Sequence, residues 1–247
     1  MLTRDVAPGV HRIEDCFTNW YLIEDDSGVT IVDAGVPSSW ESLQEAMNQL
    51  GRPLGDIRAL VLTHAHFDHV GFAERARKAL GIPVYVHEND APLTRHPWRY
   101  DHELPRSRYL LTQPKALPIV AAFLQHRAFW PAKIEEVTRY SEKEQLPVPG
   151  RPQVVFTPGH TLGHCALHLP DRDAVIAGDA LVLLDPYTGR TGPRMVARAA
   201  TADAERNARS LDALAHTGAK IVLTGHGEPW TKGAQAAVEA ARAQPVA

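Results

Sequence analysis

The sequence predicts an α/β protein built as a sandwich of two similar αβ units. Three observations lead there: short apolar runs bounded by turn residues recur in both halves, each half also contains amphipathic helical stretches, and 247 residues at 44% hydrophobic and 22% charged suffice for a full core. The same composition excludes disorder and low complexity.

Residues 9–14, 19–24 and 28–32 are expected as strands of a meander, with Asp25-Asp26-Ser27-Gly28 as a hairpin turn. A helix follows Ser38, which forms a capping-box pattern with Glu41; Trp40, Leu43, Met47 and Leu50 share one face and Gly51 ends it. Residues 58–63 and 83–87 read as apolar strands flanking a short helix at 72–80 that Gly81 stops. Residues 90 to about 148 break this rhythm with many prolines, several aromatics and one helical stretch at 119–130. They are expected to form a helical insertion that builds part of a substrate pocket, because a structureless loop of that length is rare in a compact domain. Strands resume at 153–157, 165–169, 174–177 and 220–224, with helices at 201–216 and 231–243, so that 1–247 is expected to form one domain.

Charge and cysteine content bound the partners. Lys and Arg total 26 against 29 Asp and Glu, a net charge of −3, so no overall field draws in nucleic acid or an anionic membrane. Cys16 and Cys165 lack the spacing of a redox or zinc motif, and no segment has the length and apolarity of a signal or membrane span. The expectation is a cytoplasmic protein acting on a small molecule, with no nucleic-acid or membrane partner.

Thirteen histidines against two cysteines are the unusual feature of the composition. Thr63-His64-Ala65-His66-Phe67-Asp68-His69 crowds three histidines and an aspartate directly after an apolar strand. Side chains so crowded would repel or go unsatisfied unless a cation held them. Three further apolar strands run into His160, Asp179 and His226, so four strands each deliver a ligand type at the same end. Imidazole and carboxylate without thiolate suit zinc, iron or manganese. His11, His87, His96, His102, His126, His168 and His216 stand outside this pattern and read as surface or hydrogen-bonded residues.

Together with that cluster, the segments Ile31-Val-Asp33-Ala-Gly35, Thr157-Pro-Gly-His-Thr-Leu-Gly-His164, Gly178-Asp179-Ala180 and Thr224-Gly-His226-Gly resemble the metallo-β-lactamase superfamily of hydrolases. The resemblance implies a four-layer αββα sandwich with a two-metal site at one edge of the paired sheets. Carried over residue by residue, His64, His66 and His160 would hold the first metal, Asp68, His69 and His226 the second, and Asp179 would bridge both. Two divalent ions are implied, zinc first, with iron or manganese as alternatives. The implied chemistry is hydrolysis of a small ester, lactone or thioester by a hydroxide bridging the two ions, with Asp68 as the catalytic residue that orients it. Asp33 would hydrogen-bond the ligand loop, although a strand-end turn accounts equally for an aspartate there. His164 would orient a ligand or merely pack. Tyr187 is a candidate oxyanion donor, with core packing as the competing account.

Departures from the family's branches narrow the reading. Class B1 β-lactamases carry cysteine where Asp179 stands, and glyoxalase II adds a carboxy-terminal helical domain whereas 21 residues follow His226. Acyl-homoserine lactonases are closer in length, but the family tyrosine three positions after the bridging aspartate is Val182 here. The layout is nearest to lactonase-like and glyoxalase II-like members. A one-iron persulfide dioxygenase is the alternative, opposed by the full second-metal set; a nuclease is opposed by the net charge. From residue 90 to 133 there are seven Lys and Arg against three acids, and Arg190, Arg194 and Arg198 add to them. A solvated face accounts for most, and one or two could clamp an anionic group on the substrate.

Overall fold

Alternation along the strands decides the layering. The computed structural model describes residues 1–142 and 144–247. Strands β1 (Leu2–Ala7), β2 (Val10–Asp15), β3 (Thr18–Asp25) and β4 (Gly28–Val32) form an antiparallel meander. Helix α1 (Ser39–Leu50), strand β5 (Ile57–Val61), helix α2 (Ala73–Leu80), strand β6 (Val84–His87), helices α3 (Arg106–Thr112) and α4 (Leu117–Gln125) and strand β7 (Thr138–Tyr140) follow. Strands β5, β6 and β7 extend the meander in parallel, giving one sheet in the order β1 to β7.

The second half supplies β8 (Gln153–Phe156), β9 (Cys165–Leu169), β10 (Ala174–Gly178), the hairpin β11 (Val182–Asp185) and β12 (Arg190–Arg194), α5 (Ala204–Ala215), β13 (Ile221–Thr224) and α6 (Ala234–Arg242). Its main sheet has the order β13-β10-β9-β8.

Successive strand residues face opposite ways, so each sheet buries two faces. Trp20, Leu22, Ile31 and Leu60 pack on one side with Trp40, Leu43 and Met47 of α1 and Ala73 and Ala76 of α2. Their neighbours Tyr21, Ile23, Val32 and Val61 point the other way, against Val154, Leu167, Ile176 and Leu223 of the second sheet. The far face of that sheet, with Val175, Ala177 and Val222, is covered by Leu211 and Leu214 of α5 and Val238 and Ala241 of α6. The result is the expected αββα sandwich, with apolar burial worth about 1.5–3 kcal/mol for each large side chain removed from water. Among the described residues no helix is long and apolar enough to cross a membrane.

Several local expectations change. The capping box does not form: Ser38 Oγ lies 3.1 Å from His126 Nδ1, and Ser39 Oγ accepts from Val36 N–H instead. Gly51, at φ 72°, ends the helix as expected. The helix expected to reach residue 130 stops at Gln125, and Arg127 at φ 58° turns Ala128 and Phe129 back into the aromatic cluster around Phe67 and Phe123. The insertion is not wholly helical, because β7 leaves it to pair with β6. Three residues, Thr-Arg-Tyr, carry no strand signal of their own; the open edge of β6 supplies the pairing.

Candidate metal centre

Topology gathers the histidines. β9 runs antiparallel to both β8 and β10, and β13 is parallel to β10, so β8, β10 and β13 point the same way. The turns after their carboxyl ends carry His160, Asp179 and His226, and the loop after β5 in the facing sheet carries residues 63–69. Gly225 and Gly178 let these turns close. A β-carbon on Gly225 would collide with Asp179 Oδ1, and one on Gly178, which sits at φ 51°, would lie 2.7 Å from both His164 Nε2 and Thr63 Oγ1.

Two groups of buried side chains present ligand atoms within 4.8 Å of one another: His64, His66 and His160, and Asp68, His69 and His226. Asp179 lies between them, with Oδ2 3.5 Å from His160 Nε2, 3.7 Å from His69 Nε2 and 3.3 Å from His226 Nε2. Asp68 Oδ2 is 3.5 Å from His226 Nε2. Nε2 of His64, His66, His69, His160 and His226, and Oδ1 of Asp179, are buried with no hydrogen-bond partner among the described residues. So many converging orphaned acceptors would be costly in a dry protein interior, and they are the ligand atoms a divalent cation takes.

The opposite ring nitrogens of His64, His69 and His226 are engaged, which selects their tautomer. His69 Nδ1 is 3.1 Å from Asp33 Oδ2, and His226 Nδ1 is 2.7 Å from the Phe17 carbonyl. Thr63 Oγ1 donates to Asp33 Oδ2 at 2.8 Å and is therefore free to accept from His64 Nδ1 at 3.0 Å. Asp33 is also close enough to His64 and His69 to form a third candidate group. Its two oxygens already accept from Thr63 N–H, Thr63 O–H and His69, however, which makes it a support for the loop. His164 likewise has both nitrogens committed: Nε2 accepts from Asp179 N–H at 3.0 Å and Nδ1 lies 2.8 Å from Thr157 Oγ1. It orients the backbone that carries Asp179.

Burial and mutual repulsion hold the imidazoles of His64, His66 and His164 well below their ordinary range, and burial brings His160 down to about 4. Burial also opposes charge on His69, but Asp179, Asp68 and Asp33 outweigh it and raise this group to about 10; His226 moves up for a similar reason. Burial alone would raise Asp179, yet His226 and His69 pull it below the usual carboxylate range. Asp68 is raised by burial. Neutral imidazoles on His64, His66 and His160 beside an anionic Asp179 are donors that a divalent cation takes, and on His69 and His226 a bound cation would displace the proton that the neighbouring carboxylates favour.

Asp90 is a site residue that sequence reasoning missed. Its buried carboxylate accepts from Ala65 N–H at 3.0 Å, Thr161 O–H at 2.7 Å and Gly163 N–H at 2.8 Å, tying the loop of His64 and His66 to that of His160. Desolvation raises its pKa to about 6. In the sequence it is one acid among the insertion's charges, and nothing nearby marks it. Tyr100 is the second: its ring is 3.8 Å from the His66 ring, and its hydroxyl is 3.2 Å from that of Tyr187. Tyr187 lines an apolar cavity beside the site, and the insertion supplies most of that cavity's wall. Among the arginines set apart by the sequence, Arg198 pairs with Glu103, and Arg194 donates to the Thr191 and Gly192 carbonyls.

With this geometry, comparison with known proteins gives one answer. Residues 13–226 match the model of the metallo-beta-lactamase superfamily, and the chain belongs to that superfamily. It is 29% identical over 237 residues to the probable metallo-hydrolase YflN of Bacillus subtilis (strain 168), covering 92% of this chain and 87% of YflN. The metallo-beta-lactamase family protein TTHA1429 of Thermus thermophilus superposes with a TM-score of 0.66 at 26% identity, over 94% of this chain and 77% of that one. TTHA1623, solved in a di-iron-bound form, superposes with a TM-score of 0.61 at 27% identity, over 91% and 95% of the two chains.

Proposed function

We propose that this protein is a dinuclear metallohydrolase that cleaves a small ester, lactone or thioester. The observation that carries the reading is the five buried imidazole Nε2 atoms without hydrogen-bond partners, converging on Asp179 and Asp68. His64, His66 and His160 would hold one cation, Asp68, His69 and His226 the other, and Asp179 would serve both. Zinc suits this donor set, as do iron and manganese. When bound, such ions supply a water with its pKa lowered to about 7 and a Lewis acid for the carbonyl, which removes the need for a serine or cysteine nucleophile.

The chain's own residues do the rest. Asp68 orients the attacking water through its carboxylate, Asp33 and His164 hold ligand geometry, and the Tyr187 hydroxyl donates to the developing oxyanion. The free Cys16 and Cys165 agree with a reducing, cytoplasmic setting.

The test is a panel of lactones, aryl esters and thioesters assayed with protein reconstituted with zinc, manganese or iron, beside metal content per chain. Metal-dependent hydrolysis, lost in His66→Ala and Asp179→Ala while circular dichroism stays unchanged, is the expected result. Wild-type turnover by either variant would overturn the assignment. One iron per chain with oxygen uptake and no hydrolysis would move the protein to oxidoreductase chemistry.

A further inference from the structure

The cavity beside the metal centre has a composition of its own. Phe67, Ile119, Phe123, Phe129 and Tyr187 help line a cavity of about 260 Å³ in which, among the described residues, Arg106 is the one charged side chain. A cavity of about 150 Å³ takes up benzene, so this one has room for an aryl ring or a short alkyl chain. Phe67 stands between His66 and Asp68 in the chain, which places the cavity directly against the ligand loop.

Arg106 is held in an unusual way. Its guanidinium carbon is 4.3 Å from the Tyr100 ring and 5.7 Å from the Trp98 ring. Its Nε is buried with no hydrogen-bond partner, and among the described residues the side chain forms no ion pair. Glu103, three residues earlier, is taken by Arg198. Tyr100 is also the ring against His66, so a single aromatic side chain separates this cation from the metal centre. A guanidinium packed on aromatic faces keeps its N–H edges directed outward, where they match a carboxylate in a planar fork.

We propose that this cavity is the acyl subsite and that Arg106 selects acyl groups with an apolar body and a carboxylate at the far end. The assignment rests on the hydrolase reading for the scissile bond, but recognition by Arg106 is separable from it. A phosphate dianion fits less well, because among the described residues the lining offers one cation and none to balance a second charge.

Two measurements test this on metal-loaded protein. The first compares the 4-nitrophenyl half-ester of adipic acid with 4-nitrophenyl hexanoate, two acyl chains of equal length that differ by the terminal carboxylate. Wild type is expected to prefer the half-ester in kcat/KM by about 10- to 100-fold, mainly through KM. Arg106→Gln is expected to abolish that preference and Arg106→Lys to keep part of it, with thermal unfolding confirming that both variants fold. The second measures binding of 4-phenylbutyrate and 4-phenylbutyramide by calorimetry, which needs no turnover. The ratio of their Kd values is expected to fall by the same factor in Arg106→Gln. If both esters are hydrolysed with no preference that depends on Arg106, and calorimetry shows none, the inference is wrong and the hydrolase reading stands. If neither these esters nor any lactone or thioester of the panel is hydrolysed but Arg106 still governs carboxylate binding, the hydrolase reading fails and the subsite stands.

Discussion

Replacing Asp33 with Asn tests how the site fixes its tautomers. Asp33 accepts three hydrogen bonds: Thr63 N–H on Oδ1, and Thr63 O–H and His69 Nδ1–H on Oδ2. Asn has one oxygen and one NH2 group, and neither orientation serves all three. With the NH2 toward His69, imidazole Nδ1 must give up its proton, Nε2 takes it, and the lone pair aimed at the metal is lost. With the NH2 toward Thr63, the buried Thr63 N–H faces another donor. One unsatisfied buried donor costs about 1–3 kcal/mol. At about 2–4 °C per kcal/mol for a chain of this size, Tm should fall by about 2–12 °C. Metal affinity should weaken by about 10- to 100-fold, as expected when the group behind a ligating histidine is lost. Differential scanning calorimetry and chelator competition measure the two effects. Unchanged affinity together with an unchanged Tm would falsify the claim that Asp33 sets the His69 tautomer.

Three further expectations follow from the same geometry. Asp90→Ala strips the acceptor from Ala65 N–H and Gly163 N–H and should lower urea stability by about 2–6 kcal/mol; a loss below about 1 kcal/mol contradicts its role as the tie between the ligand loops. Glu74, bonded by Arg77 and Lys78 at the start of α2, has a folded pKa lowered to about 2 from its ordinary 4.5, mainly by its hydrogen bonds to Arg77. Because the folded value is the lower one, its stabilisation is present above pH 4.5 and is lost as pH falls toward 2. Wild type should therefore exceed Glu74→Gln by about 1 kcal/mol at neutral pH after solvent screening, with the gap closing in acid; a gap independent of pH rejects the ion-pair account. Chelation of metal-loaded protein should lower Tm by about 8–16 °C, from about 4 kcal/mol of linkage at a thousandfold excess over Kd. An unmoved Tm would mean that the orphaned imidazoles hold no ion.

Much of the architecture was legible because it is written in local periodicity. Alternating apolar residues in β2 to β5 and the spacing of Trp40, Leu43 and Met47 mark buried faces within a few residues. Short elements with little apolar alternation escaped: β1 has exposed residues along its middle, and β7 exists because β6 offers an edge. The capping box failed for a related reason. Its serine found a partner 88 residues away, in the insertion, and a local motif has no means of announcing that competition.

The sequence by itself determined the chemical kinds at the centre: imidazoles and carboxylates placed at strand ends, with no thiolate among them. Only the tertiary structure decided which atoms of those groups are free. His226 Nε2 is left open because Nδ1 meets the Phe17 carbonyl 209 residues away, and His69 Nε2 because Nδ1 meets Asp33 across 36 residues. Asp90 ties Ala65 to Gly163, and among the described residues Arg106 pairs with no acid, Glu103 being claimed by Arg198. Residue type and strand-end position are properties of short stretches of chain, whereas the partner of a buried polar atom is chosen by every segment that folding brings within about 3 Å of it.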